Sequence, residues 1–258
     1  MPIAFVTDDF ISLPDLSVGE TGNNLYYSAG IRPDGLSGNV DIISQQGTDQ
    51  EPNTYIRLQT RGTELGAFIR NNANSSITLT GTTLSTGVLY IVGLEKNGTT
   101  WNLYLNGNID DTGVLADDFT LEAAAIGSFP DGASNFFNGS IEEVLAWNNN
   151  LTAKERGQTS DAKLRGHASQ IQKSNLTLYC PMDDGSNGTS ANGDTIRDLS
   201  GNGNDGTGDN GPNNTGLTYE GSKILSPQSD VMPVIFTPVT GSPWYYYAQQ
   251  NRNYSLCG

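Results

Sequence analysis

Among the pairs of adjacent acidic residues in this 258-residue sequence, three are candidates for chemistry: Asp110-Asp111, Asp117-Asp118 and Glu142-Glu143. Cleavage of a glycosidic bond needs two carboxyl groups that face the sugar, about 5–5.5 Å apart for retention or about 6.5–9.5 Å apart for inversion. Adjacent residues of a strand point to opposite faces of its sheet, so no pair meets that requirement. We therefore expect no catalytic residues and no enzymatic activity.

A second chemical feature is the loop Asp198–Asp205, which is rich in glycine and in oxygen ligands. Ca²⁺ prefers carboxylate, amide and backbone carbonyl oxygens on flexible loops, and Asp198, Asn202, Asn204 and Asp205 offer such oxygens here. Their spacing does not match the calcium loop of an EF-hand. The alternative is that the asparagines and glycines only form tight turns. The loop therefore predicts either a structural calcium site or a set of turns.

Aromatic side chains are the third feature, because a ring offers a sugar an apolar face beside polar groups. The candidates for carbohydrate binding are Tyr27, Tyr55 and Tyr104. Trp101 and Tyr104 lie on opposite faces of one predicted strand, so we expect Trp101 in the core and Tyr104 exposed. Trp147 is also expected in the core.

The stretch Val88–Asp110 must form the elements that position these rings. Asn97-Gly98 and Asn106-Gly107 separate three short apolar runs, and Asn-Gly between such runs is a strong hairpin signal. Two consecutive hairpins make an antiparallel meander. A meander with one apolar face needs a second sheet to cover that face. The sequence therefore predicts an all-β protein with two packed sheets.

One helix is predicted after the strands of the first half. Thr152 is suited to the N-cap, and Glu155, three residues later, completes a capping box. We expect this helix to run to about Leu164. It is followed by another apolar strand, Leu176–Met182, and then by the glycine-rich loop.

The formal net charge of −15 limits the partners of this chain. So acidic a protein is repelled by nucleic acid and by anionic membrane surfaces, and we expect neither as a partner. Solubility is the simple interpretation of this charge. Loops that bind Ca²⁺ or face cationic partners are the other interpretation.

The compartment is indicated by the terminal residues and the cysteines. No run approaches the roughly 20 apolar residues of a membrane helix. The N-terminus lacks the basic and apolar regions of a secretory signal, so we expect synthesis in a cytoplasm. Cys180 and Cys257 are far apart in sequence, and we expect free thiols. A bridge between them would instead pin the C-terminal tail.

The order of whole segments along the chain carries a family resemblance. The sequence reads GIRPDG, DIISQ, YIRLQ and LYIVGLEKNGTTWNLYLNG, and it continues with FFNGSIEEVLAWNNNLTAKE. Over roughly residues 20–160 this order resembles the concanavalin A-like, or laminin-G-like, lectin/glucanase superfamily. The last piece is similar to the closing strand and helix of that family. The resemblance implies a jelly-roll sandwich of two antiparallel sheets. It also implies a structural Ca²⁺ in the loop Asp198–Asp205, with Glu142 or Glu143 of the closing strand as a further ligand.

The opening signature of the same family follows the closing one. LTLYCPMDDGS and DLSGNGNDGT resemble the opening strand and a loop of the family. They could begin a second, truncated sandwich or complete the first one, as in a circular permutation. We favour the second interpretation, because a half-built sheet would expose its apolar face and unpaired edges. We expect one sandwich over residues 1–221, with a short helix and linker at 151–166 and the completing strand and loop at 176–207.

Residues 222–258 are rich in proline and predict an extended C-terminal arm, which we expect to bind a partner through its aromatic residues Trp244, Tyr245, Tyr246 and Tyr247. The arm, the acidic sandwich and the resemblance to sandwiches of phage structural proteins favour a non-enzymatic virion component. It would be a capsid decoration or a tail or fibre protein at the virion surface. Its partners would be other virion proteins, copies of itself or cell-surface glycans. The alternatives are a soluble or extracellular lectin module and a glycoside hydrolase.

Overall fold

The computed structural model describes residues 2–6, 8–47, 54–161, 165–210 and 216–220, without the side chains of residues 165–167. The predicted arm 222–258 lies outside the described residues, and so does Cys257. Partner binding by Trp244, Tyr245, Tyr246 and Tyr247 therefore stays a prediction. None of the helices in the described part of the chain has the length and apolar character that a membrane-spanning helix needs.

Short strands are the main regular structure of the described residues. In chain order the strands are β1 (Ile3–Phe5), β2 (Phe10–Leu13), β3 (Leu25–Pro33), β4 (Asn39–Gly47), β5 (Thr54–Arg61), β6 (Glu64–Arg70), β7 (Ser76–Thr83), β8 (Tyr90–Asn97), β9 (Thr100–Leu105), β10 (Asn108–Val114), β11 (Ala123–Ile126), β12 (Gly139–Trp147), β13 (Leu176–Cys180), β14 (Thr195–Ile196), β15 (Gly206–Asp209) and β16 (Thr218–Tyr219). One α-helix, α1 (Ala153–Ser160), and two 3₁₀ segments, Arg165–Gln170 and Lys173–Asn175, separate β12 from β13.

The strands form two antiparallel sheets. Sheet A has the order β10-β9-β8-β3-β12-β1-β16, and β13 pairs with β12 beyond the end of β1. Sheet B has the order β14-β15-β2-β11-β4-β5-β6-β7. The predicted all-β class, the two antiparallel sheets and the single short α-helix are therefore confirmed for the described chain, and the arrangement agrees with a concanavalin A-like jelly-roll sandwich.

The central meander forms as predicted, although its two turns differ. Asn106 and Gly107 both have positive φ, as a type I′ turn requires. At the first hairpin Asn97 stays in β8 and pairs with Thr100, so the loop residues are Gly98 and Thr99. Gly98 has a φ of +59°, which suits the first central position of a type II′ turn. Asn97 therefore extends β8 and does not enter the turn.

The main core lies between the two sheets. Trp101 and Leu103 of β9 point into it from sheet A, and Ile56 and Leu58 of β5 do so from sheet B. All four residues are fully buried. Cys180 also lies in this core, where burial raises the pKa of its thiol above the usual range. It has no disulfide partner among the described residues.

A second apolar cluster covers the outer face of sheet A. The prediction that Trp147 is buried is confirmed, but its ring belongs to this second cluster and not to the main core. Tyr26, Leu145 and Leu151 pack in the same cluster. The indole N–H of Trp147 donates to the backbone oxygen of Ile171 at 2.8 Å. The segment between β12 and β13, which includes α1, is thereby held against sheet A.

The capping box of α1 is confirmed. The backbone N–H of Glu155 donates to the hydroxyl of Thr152, and the backbone N–H of Thr152 donates to the carboxylate of Glu155. The helix ends at Ser160, before the predicted Leu164. Asp161 already has an extended backbone, with φ −77° and ψ 106°, and this conformation stops the helix.

The strands of residues 176–209 join both sheets of the first half. β13 pairs with β12 in sheet A, and β15 pairs with β2 in sheet B. The short β14 pairs with β15 at the edge of sheet B. Each pairing satisfies backbone groups that would otherwise form an open edge. The domain limits and the circular permutation stay predictions, because pairing alone does not reveal an ancestral strand order.

Candidate functional site

Tyr104 is buried, and the expectation that its ring is exposed to sugars is wrong. The alternation along β9 holds, since Trp101 lies in the main core and Tyr104 lies on the opposite face. That face is covered by α1, and only 2% of Tyr104 is exposed. The Tyr104 hydroxyl donates to Glu95 Oε2 at 2.7 Å, and Arg156 of α1 lies over the ring at 4.9 Å. Alternation predicted the face of this side chain but not what covers the face.

Tyr27 is likewise buried, so its assignment to a surface site is wrong. It points into the main core, whereas its neighbour Tyr26 points to the outer face of sheet A. Burial raises the pKa of the Tyr27 hydroxyl well above its usual range. Of the three predicted sugar-binding tyrosines, the structure leaves only Tyr55 partly exposed.

Tyr55 lies on the outer face of sheet B, because Ile56 and Leu58 alternate with it and point into the core. Two further aromatic rings contact it. Phe129 meets Tyr55 edge-on, with ring centroids 5.3 Å apart, and Phe68 of β6 lies 6.4 Å away. All three rings are half-buried. We call Tyr55, Phe68 and Phe129 the aromatic platform.

The loop between β11 and β12 places Phe129 on the platform. The hydroxyl of Ser44 donates to the backbone oxygen of Ser128 at 2.7 Å. The backbone N–H of Asp41 donates to the backbone oxygen of Asn135 at 2.8 Å. Both contacts start from β4, the neighbour of β5, so they tie the loop over the outer face of sheet B. No sequence pattern indicated Phe129, because this loop has no hydrophobic period.

Phe68 was also missed, although its strand carried a usable signal. Leu65, Ala67 and Ile69 of β6 are fully buried in the main core, and Phe68 alternates with them. This period of two places Phe68 on the opposite face of sheet B. The pairing of Arg57 with Phe68 across β5 and β6 then brings Phe68 beside the row that contains Tyr55.

Arg57 and Asp41 form an ion pair at the edge of the platform. Arg57 Nε donates to both Asp41 carboxylate oxygens at 3.0 Å, and Arg57 Nη2 lies 2.9 Å from Asp41 Oδ2. The Arg57 guanidinium also lies over the Phe129 ring at 5.2 Å. Burial raises the pKa of Asp41 to about 7, and Arg57 opposes this rise. The pair holds charged hydrogen-bonding groups next to apolar rings.

Arg70 contacts the platform without an acidic partner among the described residues. Its guanidinium lies over the Tyr55 ring at 4.7 Å, which is a cation–π contact. Arg70 Nη1 donates to Asn74 Oδ1 at 3.3 Å. Arg70 Nε is buried and has no acceptor within the described part of the chain. This guanidinium is therefore positioned by an aromatic ring and keeps hydrogen-bonding capacity.

The predicted calcium loop is held together by its own hydrogen bonds. Asp198 Oδ1 accepts from the backbone N–H groups of Tyr179 and Ser200, and Asp198 Oδ2 accepts from Ser200 Oγ and the N–H of Asn204. Asp205 Oδ1 accepts from the N–H of Asp198, and the amide of Asn202 donates to backbone oxygens of β13. N–H groups aimed at a carboxylate do not favour a cation there, so this geometry suits the alternative of tight turns.

No cluster of three or more His, Cys, Asp or Glu side chains in the described ranges could hold a metal ion. Glu142, the ligand that the family resemblance added, lies on β12 opposite Gly30 of β3. Calcium binding by Asp198, Asn202, Asn204, Asp205 and Glu142 stays a prediction.

The premise that Glu142 and Glu143 point to opposite faces is wrong. The pairing of β12 with β3 shifts register between Glu142 and Leu145, and Glu143 has a φ of +46°, which marks a β-bulge. Glu142 packs against Gly30 on the outer face of sheet A. Glu143 Oε1 accepts from the hydroxyl of Tyr179, which packs against the outer cluster. Because the bulge adds a residue, both carboxyl groups lie on the outer face of sheet A. The argument from opposite faces therefore does not hold for this pair, and the absence of catalysis stays a prediction.

Comparison with known proteins decides the family. A family model described as the concanavalin A-like lectin/glucanases superfamily matches residues 5–155, which is more than half of the chain. The chain belongs to this superfamily. The matched residues include the platform and the Arg57–Asp41 pair. No curated protein matches the chain.

Solved structures of carbohydrate-binding proteins share the fold of this superfamily member. A putative carbohydrate-binding protein from Bacteroides ovatus is 20% identical with a TM-score of 0.56; the match covers 80% of this chain and 57% of that protein. The carbohydrate-binding module CBM40 of Ruminococcus gnavus IT-sialidase, bound to α2,3-sialyllactose, is 15% identical with a TM-score of 0.51, over 62% of this chain and 97% of the module. These likenesses establish the fold. The chain spans just over half the length of the Bacteroides ovatus protein.

Proposed function

We propose that this protein is a carbohydrate-binding module that holds a glycan on the outer face of sheet B and does not cleave it. The observation that carries this proposal is the aromatic platform with its adjacent Arg57–Asp41 pair. Half-buried rings give a sugar an apolar surface, and nearby charged groups can donate to and accept from its hydroxyls. Among the three tyrosines predicted to bind sugar, Tyr55 alone lies where such a ligand could reach it.

The relatives support this function over the virion role. The Bacteroides ovatus protein is described as carbohydrate-binding, and the CBM40 structure contains a bound sugar. Neither is described as a virion component. The virion role, assembly with other virion proteins and location at a virion surface stay predictions. An extracellular location would suit a module that binds glycans, and we propose it together with the function.

A glycan array with the full chain tests the proposal, followed by titration of each glycan that binds. We expect Tyr55→Ala to weaken binding at least about tenfold, because stacking on an aromatic ring contributes on the order of 1.4 kcal/mol or more. Tyr179→Ala is the matched control, since Tyr179 is a half-buried tyrosine on the outer face of sheet A. It should leave binding unchanged.

Two outcomes contradict the proposal. If no glycan binds, the protein is not a carbohydrate-binding module for the sugars on the array. If Tyr179→Ala abolishes binding and Tyr55→Ala does not, the glycan lies on sheet A instead. Thermal unfolding of both variants would show whether a loss of binding comes from a loss of folded protein.

A further inference from the structure

We propose that Arg70 makes the aromatic platform selective for sugars that carry a carboxylate, such as uronic or sialic acids. This inference rests on the proposed function and names its substrate class. Three observations support it: the partners of Arg70, the geometry of its guanidinium, and the contrast with Arg57 on the same face.

The first observation is that Arg70 lacks a carboxylate partner in a strongly acidic chain. The sequence has 28 Asp and Glu residues against 13 Lys and Arg residues. Lys96, Arg156 and Arg197 each have a carboxylate within ion-pair distance, at Asp117, Glu95 and Asp184. Arg70 has none within the described ranges, even though it is half-buried. Its one hydrogen bond to a described residue goes to a neutral amide, that of Asn74.

The second observation is the orientation of the guanidinium. Its carbon lies 4.7 Å from the centre of the Tyr55 ring. Stacking of this kind restricts the side chain and leaves N–H groups at the edge of the guanidinium plane. A carboxylate matches two parallel N–H groups of arginine, and such bidentate pairs are stronger than neutral hydrogen bonds. Apolar rings next to the pair would reduce the screening of its charges by water.

The third observation is the contrast between the two arginines of the site. Arg57 stacks on Phe129 in the same way, but Asp41 already neutralises it. Among the described residues, Arg70 is then the cation in contact with the platform that has no carboxylate partner. A neutral sugar would leave its charge unmatched, whereas a sugar carboxylate would pair with the terminal N–H groups of its guanidinium.

The test uses pairs of ligands that differ by methylation of the carboxylate, which removes its charge. Oligogalacturonates and sialyllactose would each be titrated beside their own methyl esters, in which the carboxylate is neutral. We expect at least one acid to bind the full chain at least about tenfold more tightly than its ester, because a charged hydrogen bond contributes this much. Arg70→Gln should bring the ratio of acid to ester affinity close to one.

Arg61→Gln is the matched control. It removes the same charge from the end of β5 that lies away from Tyr55 and Arg70. It should leave the ratio unchanged. Arg70→Lys keeps the charge but loses the bidentate geometry, so it should give an intermediate ratio. The ligand pairs test the unchanged protein, and they remain decisive if Arg70→Gln does not fold.

Separate outcomes overturn the inference and the function on which it rests. If acids and esters bind equally and Tyr55→Ala still abolishes binding, the module binds glycans but Arg70 does not select carboxylates. A ratio that persists in Arg70→Gln would also overturn the inference. If neither acids, esters nor neutral glycans bind, the proposed function fails together with it.

Discussion

The outer faces of the two sheets carry the same kinds of side chains in different surroundings. On sheet A, Arg156 lies over Tyr104 and pairs with Glu95. On sheet B, Arg70 lies over Tyr55, and Arg57 pairs with Asp41. The first group is covered by the chain between β12 and β13, while the rings of the second are half-buried. The same types of aromatic and charged residues therefore stabilise the fold where a helix covers them and form a candidate site where no helix of the described residues does.

Removal of Glu95 is the strongest test of this comparison. Glu95→Ala leaves Arg156 and the hydroxyl of Tyr104 without their carboxylate, and both groups are largely buried. We expect the free energy of unfolding to fall by about 3 kcal/mol. Glycan binding by the remaining folded protein should not change. Urea unfolding and a binding titration would measure the two effects.

Little loss of stability in Glu95→Ala would break the comparison, because the covered group would then not stabilise the fold. The comparison would also break if the Glu95→Ala variant stayed stable and lost glycan binding. In that case the outer face of sheet A would itself be a site, opened by movement of α1.

The cap of α1 offers a test of intermediate size. Thr152→Ala removes the side-chain acceptor for the backbone N–H of Glu155. We expect a loss of about 1 kcal/mol in the free energy of unfolding and faster hydrogen exchange in α1. Thr152→Ser keeps the hydroxyl and is the matched control. Unchanged exchange in Thr152→Ala would mean that the cap does not hold the helix over sheet A.

The pH dependence of Asp41 tests the charged pair on the outer face of sheet B. Its pKa is raised to about 7 in the folded protein, from an ordinary value of about 3.8 in the unfolded chain. Between these two pKa values the folded state therefore holds more protons than the unfolded state. The free energy of unfolding consequently decreases as the pH rises from about 4 to about 7. Asp41→Asn removes the titrating group and its pH dependence.

Urea unfolding of both proteins at several pH values would measure this difference. The free energy of unfolding of the natural chain should fall relative to that of Asp41→Asn as the pH rises. If it rises instead, Arg57 stabilises the charged carboxylate by more than burial destabilises it, and the pKa of Asp41 is lowered.

Local patterns predicted much of the fold, because they depend on neighbouring residues. The turn at Asn106-Gly107, the capping box of Thr152 and Glu155 and the burial of Trp101 were all correct. Three local predictions failed. The helix α1 ends at Ser160 and not at Leu164. Strand alternation fails at Asp110, since Asp110 and Asp111 both accept from backbone N–H groups of β7, and it fails again at Glu143, where a β-bulge inserts an extra residue. Such a bulge depends on how β12 pairs with β3, so the sequence of β12 alone could not reveal it.

The candidate site was predicted only in part. Tyr55 was named, but Tyr27 and Tyr104 were placed at the surface although both are buried. Tyr27 faces the opposite sheet, and Tyr104 lies beneath a helix that starts almost 50 residues later in the chain. Phe129 and Arg70 were missed, because their contacts with Tyr55 join a loop and a neighbouring strand.

The amino-acid sequence by itself determined the all-β class, the meander, the capped helix and the superfamily, since each depends on period, turn chemistry or segment order. Only the tertiary structure decided which aromatic residues are covered, which side chains share the outer face of sheet B and which cation there has no acidic partner among the described residues. The physical reason is that burial and electrostatic pairing depend on residues far apart in sequence. A strand's period shows which side chains share a face, and the rest of the fold decides whether that face reaches the solvent.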